Sequence, residues 1–149
     1  MRYAEALAAL HALSARGMRP GIERMQLGIA QRGLGPGQLR LPFVQVAGTN
    51  GKGSVSSMIA ASLTAAGYRT GLFTSPHLHR FTERIRIDGE PLSTREAARR
   101  MRELLDWAQA AGAPEVSFFE IGTLMAVEAF RDHRCDVAVL EVGLGGRLD

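Results

Sequence analysis

The sequence predicts an open, mainly parallel α/β sheet flanked by helices, and two observations carry that prediction. Short apolar runs of strand length, Phe43–Ala47, Thr70–Phe73 and Asp136–Val142, alternate with longer segments of helical periodicity; βα units read this way, and their crossovers keep successive strands parallel. The first run also ends in glycine and leads through Gly48-Thr49-Asn50-Gly51 straight into a helical segment opening at Lys52. A glycine turn between strand and helix lies at the carboxyl edge of such a sheet, where open α/β proteins bind ligands.

The elements follow in order. Tyr3, Leu7, Leu10 and Leu13 recur at near-helical spacing, so Arg2 to Arg16 reads as an amphipathic helix, interrupted by Gly17 and Pro20-Gly21. Ile22, Met25 and Ile29 mark a second short helix to about Gln31, ended by the Gly33 to Gly37 stretch with its proline. Phe43–Ala47 is continuous and apolar, as expected of a buried parallel strand. A helix from Lys52 to Ala66 closes at Gly67, and Thr70–Phe73 is the second strand. Residues 74 to 80 have no period and contain a proline, hence a loop; Arg84–Ile87 then alternates and Asp88-Gly89 turns it. Ser93 with Glu96, and Ser117 with Glu120, have capping-box spacing ahead of two helices, the second apolar on most sides. The tight basic run Arg99-Arg100-Met101-Arg102 falls on the first of these helices and reads as solvated surface. The chain stops at Asp149, after a strand and a glycine loop where another crossover is due, so the sheet is expected to be truncated, with residues 1–40 a helical lead-in and 41–149 an incomplete core.

Composition narrows the function. Hydrophobic residues make up 46% and charged residues 22% of the 149, which suits a soluble globular domain. No apolar run approaches the roughly 18–20 residues of a membrane span, and no secretory leader is recognisable, so no membrane partner and a cytoplasmic location are expected. Cys135 is the single cysteine and reads as a buried, inert thiol. The net charge of +3 comes from scattered arginines, so nucleic acid is not an expected partner. Lys52 is the only lysine among 18 basic residues. A compact ammonium fits within a ring of backbone N–H groups beside a phosphate, where a planar guanidinium is too wide.

That lysine stands where chemistry is expected. In Gly48-Thr49-Asn50-Gly51-Lys52-Gly53-Ser54 the glycines let successive N–H groups point into one hollow. The helix N-terminus adds about half a positive charge, and Lys52 adds a full one. A triphosphate is the natural guest. The match to the P-loop pattern is imperfect, with Val46 in place of its first glycine and Gly53 after the lysine, although Ser54 still offers a hydroxyl. Glu141 ends the third strand ahead of Gly143-Leu144-Gly145-Gly146 and could hold magnesium, which takes oxygen ligands and keeps waters; a carboxylate paired with an arginine is the other reading. Ser75, after the second strand, could reach the same metal or simply form a turn. A GTPase or kinase would share the loop, but no guanine-reading motif or switch threonine stands elsewhere in the chain.

Val46 to Ser54, Thr74-Ser75-Pro76-His77-Leu78 with Phe81-Thr82-Glu83-Arg84-Ile85, and Glu141 to Asp149 together resemble folylpolyglutamate synthase, a family that includes bifunctional dihydrofolate synthases and is related to the Mur ligases. The resemblance covers essentially the whole chain. It implies a Mur-ligase central-domain type of fold and an ATP-dependent ligase that adds L-glutamate to a folate through an acyl phosphate. It implies ATP held by Gly48, Thr49, Asn50, Gly51, Lys52, Gly53 and Ser54, with Lys52 as the catalytic cation, and Mg2+ held by Ser75 and Glu141 with help from Ser54. It also implies a folate substrate at Ser117, Phe118, Phe119, Glu120, Leu148 and Asp149. Ser117 and Glu120 read equally well as a capping box, and the two phenylalanines as core. Some dihydrofolate synthases carry an acidic residue ahead of a glycine in the lead-in; Arg19-Pro20-Gly21 stands here instead, which favours folate extension over dihydropteroate use. A glutamate-binding domain and further metal ligands are expected beyond Asp149, so these 149 residues alone are expected to lack turnover, and the parent protein to be a monomer.

Overall fold

The computed structural model describes residues 2–16 and 21–143. Within them run α1 (Tyr3–Ala12), α2 (Glu23–Gln31), β1 (Phe43–Val46), α3 (Lys52–Ala65), β2 (Thr70–Phe73), β3 (Ile85–Ile87), β4 (Glu90–Pro91), α4 (Thr94–Ala108), α5 (Phe118–Asp132) and β5 (Val137–Glu141). A 3₁₀ turn, Phe81–Arg84, precedes β3. The strands form one sheet in the order β1-β5-β2-β3-β4. β5 is parallel to both β1 and β2, and β3 and β4 extend the sheet antiparallel. The hairpin between them turns at Asp88 (φ 50°) and Gly89 (φ 85°), the paired positive values that a two-residue turn needs to match strand twist.

Period-two alternation divides the sheet's side chains between two layers. Leu72 and Val139, with Val44 and Val46, face α3 and pack on Ala60, Ile59 and Leu63. Phe73, Ala138 and Leu140 face the other way, into the larger core built on α5, α4 and α1. Ile121, Leu124, Met125 and Phe130 of α5 have no exposed surface, and burying each contributes about 2 kcal/mol. The first strand differs from its expectation. β1 is parallel but lies at the sheet's edge, with alternating exposure and Phe43 42% exposed, because β5 is threaded between β1 and β2.

Gly71 shows how closely α5 sits on the sheet. A Cβ there would fall 2.6 Å from Cγ of Phe130, a distance that requires the ring or the strand to move. α2 is held on α5 and α4 by polar contacts. Arg32 Nε donates to the buried Glu128 carboxylate at 2.6 Å, Trp107 Nε1 donates to Gln31 at 3.1 Å, and Gly28 leaves room for Trp107 and Leu124. The lead-in is thereby part of the fold's packing.

Two side-chain readings are corrected. Ser93 caps α4 by accepting from the Glu96 N–H at 3.1 Å, but the Glu96 carboxylate does not return to complete a box. It is engaged by Arg100 at 2.8 Å and His133 at 3.0 Å. Arg100 is consequently no surface charge: its side chain is 2% exposed and also meets Asp132 at 2.9 Å. Burial raises the Glu96 and Asp132 carboxyls, but hydrogen bonds from Arg100, with those of His133 and Arg131, more than offset it and hold both below the usual carboxylate range.

Arg100→Met should lower stability by about 2 kcal/mol at neutral pH, less than loss of a fully buried partner costs because Asp132 is partly exposed. Folded-state values below the unfolded ones mean that the carboxylates' contribution is present above about pH 5 and lost as pH falls below about 4. The acid-induced loss of stability, read by urea unfolding across pH, should therefore be shallower in the variant. Gly71→Ala should cost about 1–3 kcal/mol by overpacking, measured as a lower unfolding midpoint; a midpoint equal to the parent's contradicts the close approach of Phe130.

Candidate functional site

Register brings the candidate residues to one edge. Val46 pairs with Glu141 across β1 and β5, and Phe73 with Leu140 across β5 and β2, so three parallel strands end side by side. Beyond Val46 lies the glycine loop, beyond Phe73 the loop carrying Ser75, and between them stands Glu141. The glycine loop reaches α3 through Gly51, the residue before the first helical turn, at φ 75°. That left-handed value costs a side-chain-bearing residue free energy and glycine almost none. Val55 N–H closes the first turn on the Gly51 carbonyl at 3.0 Å. The free N–H groups of that turn face the loop. Lys52 Nζ donates to the Gly48 carbonyl at 3.0 Å, folded back over the loop that it heads. Thr49, Asn50 and Ser54 are exposed.

Glu141 is the unusual group. Its side chain belongs to a residue only 6% exposed, yet no arginine among the described residues pairs with it. Oε2 accepts the Ser75 N–H at 2.8 Å. A Cβ on Gly53 would stand 3.6 Å from Oε1, in van der Waals contact, so the first turn of α3 lies close over the carboxylate. The arginine-paired reading of Glu141 is set aside, and the loop containing Ser75 is tied to it directly. Hard oxygen donors around one buried negative charge suit Mg2+, which keeps waters and phosphate oxygens as further ligands. The residues fit: Glu141 would hold the ion, with the Ser75 hydroxyl and, from α3, that of Ser54. Among the described residues no group of three His, Cys, Asp or Glu side chains gathers elsewhere.

The predicted substrate segment divides. Ser117 and Glu120 do form a complete capping box, with Ser117 N–H to Glu120 at 2.7 Å and Glu120 N–H to Ser117 Oγ at 3.2 Å. Glu120 also meets Arg24 at 3.1 Å. Phe118 turns away into an aromatic group, stacked on His11 at 5.0 Å and edge-on to Phe81 at 5.8 Å. Phe119 packs on Phe73 at 5.8 Å and, with Glu120, lines a cavity of about 260 Å³. Leu148 and Asp149 lie outside the described residues. The cavity's other walls were missed in the sequence: Ile22, Met25 and Ile29 of the lead-in, and Gln45 and Leu140 of the sheet. The only available signal was that apolar stripe on α2, which reads identically whether it faces core or ligand. Glu141 lines the cavity too, so cavity and glycine loop meet at one carboxylate.

Fold and site together define an α/β unit in which a lysine-headed glycine loop and a buried carboxylate stand beside an apolar cavity. No protein-family model matches the chain. Individual proteins do. The dihydrofolate synthase/folylpolyglutamate synthase of Escherichia coli is 44% identical over 131 residues, covering 87% of this chain and 29% of that protein. The enzyme of the same description from Mycobacterium tuberculosis is 47% identical over 126 residues, 78% of this chain and 26% of that one. Among solved structures, E. coli FolC in complex with DHPP and ADP superposes with a TM-score of 0.87 at 39% identity, over 100% of this chain and 35% of that one. Folylpolyglutamate synthase from Thermotoga maritima gives 0.84 at 38%, over 99% and 34%. A bifunctional folylpolyglutamate/dihydrofolate synthase with Mn, AMPPNP and L-glutamate bound gives 0.83 at 40%, over 100% and 35%. Over its own length the chain is similar in sequence and fold to folylpolyglutamate/dihydrofolate synthases, and it spans about a third of their length.

Gly53→Ala tests the space above Glu141. The added methyl makes only ordinary contact, so the unfolding midpoint should hold or rise, while Mg2+-dependent nucleotide affinity should fall about tenfold, as when the surroundings of a metal ligand are altered. Isothermal titration alongside thermal unfolding checks both.

Proposed function

We propose that this chain is the nucleotide- and metal-binding part of an ATP-dependent ligase that joins L-glutamate to a folate. One observation carries the reading. The buried Glu141 carboxylate, held by Ser75 N–H at 2.8 Å, stands where the lysine-headed loop and the Phe119-lined cavity meet. A substrate whose aromatic part fills the cavity would present its carboxylate at the phosphate end. Relatives' structures with DHPP and ADP, and with Mn, AMPPNP and L-glutamate, support this choice of guests.

Phosphoryl transfer asks mainly for alignment and charge neutralisation. The loop N–H groups and the α3 N-terminus would hold the β and γ phosphates, and Lys52 would leave the Gly48 carbonyl to meet them. Mg2+, when bound, would neutralise phosphate charge and align the transferring group. The substrate carboxylate oxygen takes the γ-phosphoryl group and ADP departs. The glutamate amine then attacks the activated carbon, phosphate leaves with the C–O bond's electrons, and the amine's proton goes to solvent. No side chain of the chain need act as a nucleophile. Folate extension is the favoured activity, in a monomeric cytoplasmic protein without nucleic-acid or membrane partners. Among the described residues no helix is long and apolar enough to cross a membrane.

Titration calorimetry should show Mg2+-ATP binding that Lys52→Ala weakens at least tenfold, since a hydrogen bond to a charged group contributes about 1.5–3 kcal/mol. Binding that is indifferent to Lys52→Ala, or salt-sensitive oligonucleotide binding in its place, contradicts the proposal.

A further inference from the structure

Residues 74 to 80 carry Ser75 and have no regular structure, yet four of their backbone N–H groups are tied to two consecutive residues, Glu83 and Arg84. The Glu83 carboxylate accepts the N–H groups of Leu78 at 3.0 Å, His79 at 3.2 Å and Arg80 at 2.9 Å. The Arg84 carbonyl accepts the Thr74 N–H at 2.9 Å, and its guanidinium Nε donates to His77 Nδ1 at 2.9 Å. Ser75 is therefore held from both sides: Thr74 before it and His77 to Arg80 after it close on Glu83 and Arg84. Its own N–H meets Glu141. The acceptance of three N–H groups, Leu78's foremost, keeps the Glu83 carboxyl below the usual carboxylate range, so it is ionised at neutral pH. Arg84 is itself fixed, 9% exposed, with its guanidinium 5.1 Å from the Phe118 ring centre and 5.6 Å from that of Phe81.

We propose that Glu83 is a positioning residue for the metal end of the site: it clasps the loop so that Ser75 stays at Glu141. The proposal rests on the reading of Ser75 and Glu141 as the cation's protein ligands. Glu83 needs to touch neither nucleotide nor metal. Ser75 is tied to Glu141 through its N–H, and three amides released from a shared acceptor would let the loop carry Ser75 away from Glu141 while the glycine loop is untouched. The clasp therefore acts on cation affinity and leaves phosphate affinity alone.

The test is the Mg2+ dependence of ADP binding in the whole chain. Glu83→Ala should raise the Mg2+ concentration for half-maximal effect roughly tenfold or more, as loss of outer supports of metal ligands does, and leave ADP affinity in EDTA unchanged. Glu83→Gln, which retains one acceptor oxygen, should fall between. Parent-like Mg2+ dependence in Glu83→Ala overturns the proposal; so does an equal loss with and without metal, which marks a role in folding only. Amide hydrogen exchange without nucleotide gives an independent reading: Ser75 should lose protection together with Leu78, His79 and Arg80. Unchanged protection at Ser75 overturns the clasp even if the nucleotide reading stands. A parent chain that binds no ADP at all overturns that reading instead and leaves the exchange measurement to decide the clasp. Should Glu83→Ala not fold, Glu83→Gln carries both measurements.

Discussion

The insertion of β5 between β1 and β2 is the constraint on which the site depends. It sets the Val46–Glu141 and Phe73–Leu140 registers, and these put a carboxylate between two loops that lie some 25 residues apart along the chain. A one-residue slip in β5 would turn Glu141 to the other face and place a valine or leucine in its position, since strand side chains alternate. The hydrogen bond from Ser75 N–H to Glu141 is the local expression of that register. It holds a buried carboxylate that would otherwise be costly without cancelling its charge, and so leaves it available to a cation.

The same threading divides the two faces of the sheet into two tasks. α3 covers one face and brings its N-terminus to the sheet's edge, where its unpaired N–H groups and partial positive charge favour an anion. α5 covers the other, so closely that β2 must carry glycine opposite Phe130. Its N-terminal Phe119 is left against a cavity closed by α2. Charged recognition thus belongs to one layer and apolar recognition to the other, with Glu141 at the seam. In a ligase the bond to be made lies at such a seam, between a phosphoryl group and the acid end of a mostly apolar molecule.

Much of this was legible in the sequence, for identifiable reasons. Thr70–Phe73 could be bounded to the residue because Gly67 and the following proline loop punctuate it, and the start of the Lys52 helix because a glycine turn precedes it. The positions of the glycine loop, Ser75 and Glu141 at the sheet's edge were legible because each sits within a residue or two of a strand end. What depended on tertiary neighbours was not. β1's edge position follows from where β5 inserts, which apolar content does not encode. Arg100 and its neighbours Arg99 and Arg102 look alike in sequence, but only Arg100 projects toward Glu96 and Asp132. Ser93–Glu96 and Ser117–Glu120 have the same spacing, yet only the second closes as a box, because Arg100 and His133 compete for Glu96. The α2 wall of the cavity, and the role of Glu83 toward the loop behind it, likewise needed coordinates.

In the proposed reading, Glu141 and Ser75 would hold a divalent cation beside the nucleotide phosphates, above the first turn of α3. Paramagnetic broadening of backbone amide resonances by Mn2+ added with AMPPNP reads that location directly. The amides of Gly51, Lys52, Gly53, Ser54, Ser75 and Glu141 should broaden first and together, and only when nucleotide is present. Broadening centred on the Glu96 and Asp132 carboxylates, or none at the loop with nucleotide in excess, would contradict the account.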